Sequence, residues 1–198
     1  SGRACATCWY CRMGQYVHCS DKGSDESGGF AEYVKRNVLG CYPIRPEMSW
    51  FEGALVEPLA VSVHAMRMGN LRGGDTVAIL GSGNIGLTAI TAARQLGAGK
   101  ILVTARHEQQ SEMAMKLGAD ATASPEGTEF EEILLEATHG RGADITIETV
   151  GGRSGETLEQ SIQVTRKQGK IVILGVFYGR HEIDWFLPLQ KELSVQFS

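Results

Sequence analysis

The sequence predicts an α/β fold built on a doubly wound parallel sheet, and three observations carry that expectation. From Thr76 onward, short β-rich apolar runs alternate with stretches whose apolar residues recur at helical intervals. The first run, Thr76-Val77-Ala78-Ile79-Leu80, breaks into Gly81-Ser82-Gly83-Asn84-Ile85-Gly86, which places three glycines at the G-x-G-x-x-G spacing at the head of a helical pattern ending at Leu96. The part of the chain before Trp50 follows neither rhythm and concentrates its cysteines at positions 5, 8, 11 and 19.

In chain order, Cys5-x2-Cys8-x2-Cys11-x7-Cys19 supplies four soft thiolates on a loop too short to build a core of its own. Such a set suits a closed tetrahedral zinc site, whose ligation replaces the missing burial. An iron-sulfur cluster and reduced, unliganded thiols stay open on spacing alone. His18 reads as a solvated side chain and Cys41 as a small buried hydrophobe. Ser27-Gly28-Gly29-Phe30-Ala31-Glu32-Tyr33-Val34 is a glycine turn followed by an alternating run, and Val38 to Ile44 continues it. Both predict short antiparallel strands, giving a small β-rich lobe.

Trp50 to Met68 is helical in period, with a cap at Ser49 and a stop at Gly69. Within it Glu57 is a lone carboxylate in the apolar stretch Ala54 to Val61. If buried it requires a cation, a metal or a raised pKa; the plainer alternative is a helix start with Pro58 in the first turn. His64 reads as a core or surface histidine.

The βα alternation then runs strand Thr76 to Leu80, helix Ile85 to Leu96, strand Lys100 to Thr104, helix Glu108 to Leu117, a short strand Ala121 to Ala123 and helix Glu129 to Thr138. It continues with strand Asp144 to Thr149, helix Ser154 to Arg166, strand Lys170 to Leu174 and strand Leu193 to Phe197. Six strands with right-handed crossovers make a Rossmann sheet, and ligands bind such sheets beyond the carboxyl ends of the strands. Those ends are Gly81, Ala105, Thr149-Val150-Gly151 and Gly175-Val176-Phe177. In the first of them Gly81 can take a positive φ, Gly83 admits close approach of a ligand, and Gly86 lets the helix lie near the strand. The amides of Asn84, Ile85 and Gly86 then favour an anion, with a pyrophosphate the expected guest.

The second strand names the dinucleotide. An NAD-preferring sheet ends that strand in Asp or Glu, which holds the ribose hydroxyls. Here it ends in Ala105, followed by Arg106. The acid that would repel a 2′-phosphate is absent and a planar guanidinium is at hand, so NADP(H) is expected over NAD(H).

Composition sets the outer bounds. At 198 residues with 42% apolar and 21% charged content, the chain reads as one or two soluble globular domains. A net charge of -4 without a Lys/Arg block points away from nucleic acid and anionic membranes, and no apolar run reaches the ~20 residues of a membrane span. With no secretory signal, reduced thiols and a cytoplasmic location are expected.

The cysteine lobe, the run Gly28 to Tyr33, Glu57-Pro58-Leu59 and Gly81 to Gly86 together resemble the zinc-dependent medium-chain dehydrogenases, in their sorbitol, ketose reductase and threonine dehydrogenase branch. The resemblance implies a structural zinc on Cys5, Cys8, Cys11 and Cys19, and it puts Glu57 where the family has its last catalytic-zinc ligand. It also implies that Val150, Val176 and Phe177 lie near the coenzyme's ribose and nicotinamide. Thr104-Ala105-Arg106 looks like the run of NADP-using ketose reductases, with Gln110 where some of those carry a second phosphate-binding arginine. The family's upstream catalytic cysteine, its Gly-His-Glu run and its C-terminal return do not occur in these residues. The expectation is therefore a fragment: a catalytic-domain (GroES-like) remnant over residues 1–56 and a dinucleotide-binding domain over 57–198. The parent would be an NADP(H)- and zinc-dependent oxidoreductase interconverting a secondary alcohol or polyol and its ketone, as a homo-oligomer (dimer or tetramer). The alternative is a non-catalytic dinucleotide-binding module with zinc as a staple.

Overall fold

The computed structural model describes residues 4–23, 29–36 and 38–198. They fall into two compact units that meet between Gly53 and Ala54 in the chain.

The first unit carries helix α1 (Trp9–Arg12) and two 3-10 turns, Tyr16–His18 and Val38–Gly40. The strands expected between Phe30 and Ile44 do not form among the described residues, so the lobe is not β-rich; part of the preceding glycine turn, residues 24–28, lies outside them. Alternation yields a strand only where a neighbour completes the ladder. Here Phe30, Tyr33 and Tyr42 stand in solvent instead of on a sheet face. Cys41 is likewise exposed, not buried, because no core forms around it. Among the described residues before Gly53, the buried apolar side chains are Cys11 and Cys19.

Helix α2 (Trp50–Met68) occupies the expected span. Its start is a reciprocal capping box: the Ser49 amide and hydroxyl donate to Glu52 Oε2 at 2.7 and 2.8 Å, and the Glu52 amide donates to Ser49 Oγ at 3.2 Å. These bonds hold the Glu52 carboxyl below its usual range. Pro58 consequently sits inside the helix and not in its first turn.

The second unit is a six-stranded sheet in the order β3-β2-β1-β4-β5-β6. Its elements are β1 (Thr76–Leu80), α3 (Asn84–Gln95), β2 (Lys100–Thr104), α4 (Glu108–Lys116), β3 (Ala121–Ala123) and α5 (Glu129–Ala137), then β4 (Ala143–Glu148), α6 (Glu156–Val164), β5 (Thr165–Ile173), α7 (Phe186–Gln190) and β6 (Ser194–Phe197). Every pairing is parallel. Because successive side chains face opposite ways, Val77 and Ile79 of β1 join Met66 of α2, Ala89 and Ile90 of α3 and Ala114 of α4 in one core. Ala78 and Leu80 join Phe130 and Leu134 of α5 and Val164 of α6 in another. Two buried faces explain why β1 reads as a continuous apolar run.

One boundary differs substantially from expectation. β5 begins at Thr165 and not at Lys170, so the preceding helix stops at Val164 rather than Arg166. Thr165 is already extended (φ -78, ψ 134), and its buried hydroxyl bonds to Thr146 Oγ1 at 2.7 Å and donates to Ser161 O at 2.6 Å. Arg166 Nε then donates to Asp144 Oδ1 at 2.6 Å, tying the start of β5 to β4 across a register shift.

Candidate cofactor and metal sites

The strand order reverses between β1 and β4, and a sheet of this kind opens its ligand crevice at the carboxyl ends of that pair. Gly81 leaves β1 with φ +98. A Cβ there would stand 2.7 Å from Val150 Cγ2 and 2.8 Å from Thr149 Oγ1. At Gly86 a Cβ would run into the Gly81 carbonyl, which is how closely α3 approaches the turn. Gly83 is the opposite case. It caps α3 with an ordinary extended backbone (φ -75, ψ -169), and a Cβ there would meet nothing within 4 Å. The chain itself leaves the space over Gly83 open, beside the first-turn amides of Asn84, Ile85 and Gly86, which have no intrahelical acceptor.

The turn is held from both sides. Gly81 N donates to Thr104 Oγ1 at 2.7 Å at the end of β2, and Thr149 Oγ1 donates to Leu80 O at 2.8 Å at the end of β4. Beyond Thr104, Ala105 N is fixed to Ala123 O at 2.9 Å and Arg106 is exposed. Ser82 Oγ donates to Gln110 Oε1 at 3.4 Å, which brings the first turn of α4 to the glycine turn.

Glu148, which the sequence reading passed over, ends β4 and is fully buried. Its Oε1 accepts from Val150 N, Gly151 N and Thr157 Oγ1, each at 2.9 Å, and Oε2 has no partner. Its main-chain carbonyl accepts from Leu174 N at 2.8 Å and Gly175 N at 3.1 Å. The signal for it in the sequence is an acid closing an otherwise buried strand just before Thr149-Val150-Gly151. The turns after β4 and β5 are then joined directly: Gly152 N donates to Val176 O at 2.8 Å and Tyr178 N to Gly152 O at 2.9 Å. Val150 and Val176 are exposed, and Phe177 is half-buried, edge-on to His181 at 5.3 Å. The structure thus brings together Gly81, Thr149, Val150, Gly175, Val176 and Phe177 at one end of the sheet.

In the other unit the four cysteine sulfurs lie within 4.8 Å of one another. Sγ of Cys5 and Cys11 are 4.0 Å apart and those of Cys8 and Cys19 are 3.9 Å apart. A tetrahedron with zinc-sulfur bonds of about 2.3 Å has edges of about 3.8 Å, so the donor set fits zinc. Amides also point at the sulfurs: Cys8 N and Thr7 N donate to Cys5 Sγ, Cys11 N to Cys8 Sγ and Cys5 N to Cys19 Sγ. Such donors stabilise thiolates. The Thr7 hydroxyl, followed by the Cys8 and Thr7 amides, brings the Cys5 thiol down to about 6. The Cys11 amide lowers Cys8, whereas burial pushes Cys11 up to about 12. His18 is exposed and tilts against Tyr10, outside the sulfur set.

Glu57 is exposed, so the burial that would demand a counter-charge is absent. Among the described residues, the four cysteines are the only cluster of metal-ligating side chains, and Glu57 is not part of it. His64 is exposed on the same helix.

The chain thus carries a Rossmann sheet with a glycine turn at its switch point and, in its other unit, a four-thiolate cluster. Residues 84–198 match the model of the zinc-binding dehydrogenase family, and the chain belongs to that family. It is 33% identical to the sorbitol dehydrogenase of Bacillus subtilis over 98% of this chain and 52% of that protein. It is 31% identical to the L-threonine 3-dehydrogenase of Pyrococcus abyssi over 96% of this chain and 55% of that one. A zinc-binding dehydrogenase from Sinorhizobium meliloti 1021, solved bound to NADP, superposes with a TM-score of 0.88 at 33% identity, covering 100% of this chain and 59% of that one. The chain spans about half the length of the curated relatives it matches. No helix among the described residues is long and apolar enough to cross a membrane.

Proposed function

We propose that this chain is the cofactor-binding portion of an NADP(H)-dependent zinc oxidoreductase that interconverts a secondary alcohol or polyol and its ketone. The observation that carries the reading is the end of β2, where Ala105 and an exposed Arg106 replace the acid of an NAD site. In this reading the first-turn amides of α3 hold the diphosphate over Gly83, and Ala105 leaves room for a 2′-phosphate that Arg106 grips. Thr149, Val150, Gly175, Val176 and Phe177 flank the ribose and nicotinamide. The dinucleotide, when bound, supplies the hydride acceptor or donor. Cys5, Cys8, Cys11 and Cys19 hold a structural zinc that folds their lobe, and Glu57 tunes or transiently ligates a catalytic zinc. The domains run 1–56 and 57–198, and the full-length protein is a cytoplasmic homo-oligomer.

A second reading, a non-catalytic dinucleotide-binding module stapled by zinc, draws support from Glu57, which is exposed and lies outside the one thiolate cluster. Zinc-dependent oxidation of sorbitol or threonine by the full-length protein, lost in Glu57→Ala, excludes it.

Titration with both nucleotides tests the cofactor assignment. A charge-assisted contact is worth roughly 1.5–3 kcal/mol, so NADPH is expected to bind about ten- to a hundredfold more tightly than NADH. Arg106→Ala should erase most of that difference and Ala105→Asp should reverse it. Equal affinities in the unaltered chain refute the assignment.

A further inference from the structure

Glu148 combines features that the fold alone does not require. It is a carboxylate with no solvent exposure at the end of a strand whose other buried residues are Ala143, Ile145, Thr146 and Ile147. Burying such a group is costly unless hydrogen bonds or a counter-charge compensate it, and here only one of its two oxygens is bonded. What those bonds do here is specific. Three donors converge on the single atom Oε1, and two of them are the consecutive amides of Val150 and Gly151. The third, Thr157 Oγ1, comes from the first turn of α6. Val150 is the residue whose Cγ2 lies 2.7 Å from where a Gly81 Cβ would be, so the turn that Glu148 holds stands directly beside the glycine turn. The other oxygen, Oε2, lies against Gly175, where a Cβ would collide both with it and with Gly151 N. The same residue's carbonyl receives Leu174 N and Gly175 N, so one residue fixes the turns after both β4 and β5.

We propose that Glu148 is a positioning residue for the nicotinamide half of the dinucleotide: through Oε1 it sets the pose of the Val150-Gly151 turn against Gly81, and so the wall on which that half rests. The inference depends on the dinucleotide reading above. It adds that the two halves of the ligand answer to separate parts of the site. The adenosine half answers to Ala105-Arg106, and the nicotinamide half to a turn that is held in place by a buried carboxylate and never by contact with solvent.

Titrations of the full chain with NADPH and with 2′,5′-ADP, which lacks the nicotinamide half, separate positioning from general damage. Glu148→Gln keeps an acceptor oxygen for the two amides and should bind both ligands within about threefold of the unaltered chain. Glu148→Leu leaves both amides without that acceptor, the Gly151 amide buried, and should weaken NADPH about tenfold or more, with 2′,5′-ADP unchanged. Equal weakening of both ligands, or of neither, overturns the proposal. Should Glu148→Leu fail to fold, Thr157→Val removes one donor of the three and should weaken NADPH about threefold with 2′,5′-ADP unchanged, and an unchanged NADPH affinity overturns the proposal. Failure of the unaltered chain to bind either 2′,5′-ADP or 5′-ADP removes the dinucleotide reading itself, a result distinct from any produced by the variants.

Discussion

Replacing Gly83 and Gly86 by alanine, one at a time, separates what the glycine turn does for the ligand from what it does for the fold. At Gly83 the added methyl meets nothing within 4 Å, and the backbone lies in a region open to any residue. The lower entropy of the unfolded chain favours alanine by about 0.4–1 kcal/mol, and the loss of glycine at a cap costs a comparable amount, so stability should change by less than about 0.5 kcal/mol. The same methyl projects into the space where a diphosphate would approach the amides of α3. Losing one or two charge-assisted bonds of roughly 1.5–3 kcal/mol each should weaken NADPH by at least tenfold. At Gly86 the methyl would run into the Gly81 carbonyl, and that carbonyl cannot retreat easily. Its residue's amide is bonded to Thr104 Oγ1 at 2.7 Å, and Thr149 Oγ1 lies 3.4 Å from the carbonyl itself. Overpacking against backbone of this kind costs about 1–3 kcal/mol or more, as α3 is pushed off the sheet. Urea denaturation of the two variants, alongside NADPH titration, should find Gly83→Ala stable and binding-deficient and Gly86→Ala destabilised. A Gly83→Ala chain that binds NADPH as tightly as the parent would refute the reasoning, because the open space would then not be the ligand's.

Other expectations concern the cysteine lobe and its neighbour. The purified chain should carry about one zinc by elemental analysis, and Cys8→Ser should lose it and unfold the lobe, since a zinc site's binding energy is folding energy on the order of 10 kcal/mol. The sheet unit, with its own cores, should then keep its unfolding transition, and iron in place of zinc would refute the assignment. Acid should weaken the start of α2. The Glu52 carboxyl is held below its ordinary range by Ser49, so its contribution is present above that range and disappears as pH falls through the lowered value. The difference in helix content between the parent and Glu52→Gln, measurable near pH 7, should accordingly shrink as pH falls through that lowered value, and a difference unchanged in acid would contradict the capping geometry.

Most of the sheet was legible in the sequence because its determinants are local. Two-sided burial makes β1 and β2 apolar runs, and five of the six strands are found close to their expected positions, down to the three residues of β3, β5 alone starting five residues early. The helix from Trp50 to Met68 was readable for the same reason: its start is a local capping box of Ser49 and Glu52. The failures lie where a long-range partner decides. The alternation from Phe30 to Ile44 would be a strand only with a ladder beside it, and without one those aromatics and Cys41 face water. Thr165 was read as helix because its hydroxyl bonds to Thr146, a neighbour across the sheet that no local period reveals. In the candidate site the glycine spacing pointed to Gly81, Gly83 and Gly86. Glu148 carried no motif spacing, only the signal of an acid closing a buried strand; two of its donors, the Val150 and Gly151 amides, are local, and the third, Thr157, arrives only when α6 packs on β4.

The glycines of this crevice differ in kind, and the difference bears on how a ligand would be received. Gly81, Gly86, Gly151 and Gly175 are places where one backbone segment lies against another: Gly86 on the Gly81 carbonyl, Gly151 with its virtual Cβ 2.5 Å from Val176 N, and Gly175 on Gly151 N and Glu148 Oε2. They form a continuous seam from the turn after β1 through the turn after β4 to the turn after β5. Close packing of main chain on main chain leaves little room for independent movement of any one turn. Gly83 stands outside that seam and faces open space. The crevice is therefore a closely packed frame that is open over Gly83, and packing of this kind lowers the ordering cost that a flexible loop would impose on binding.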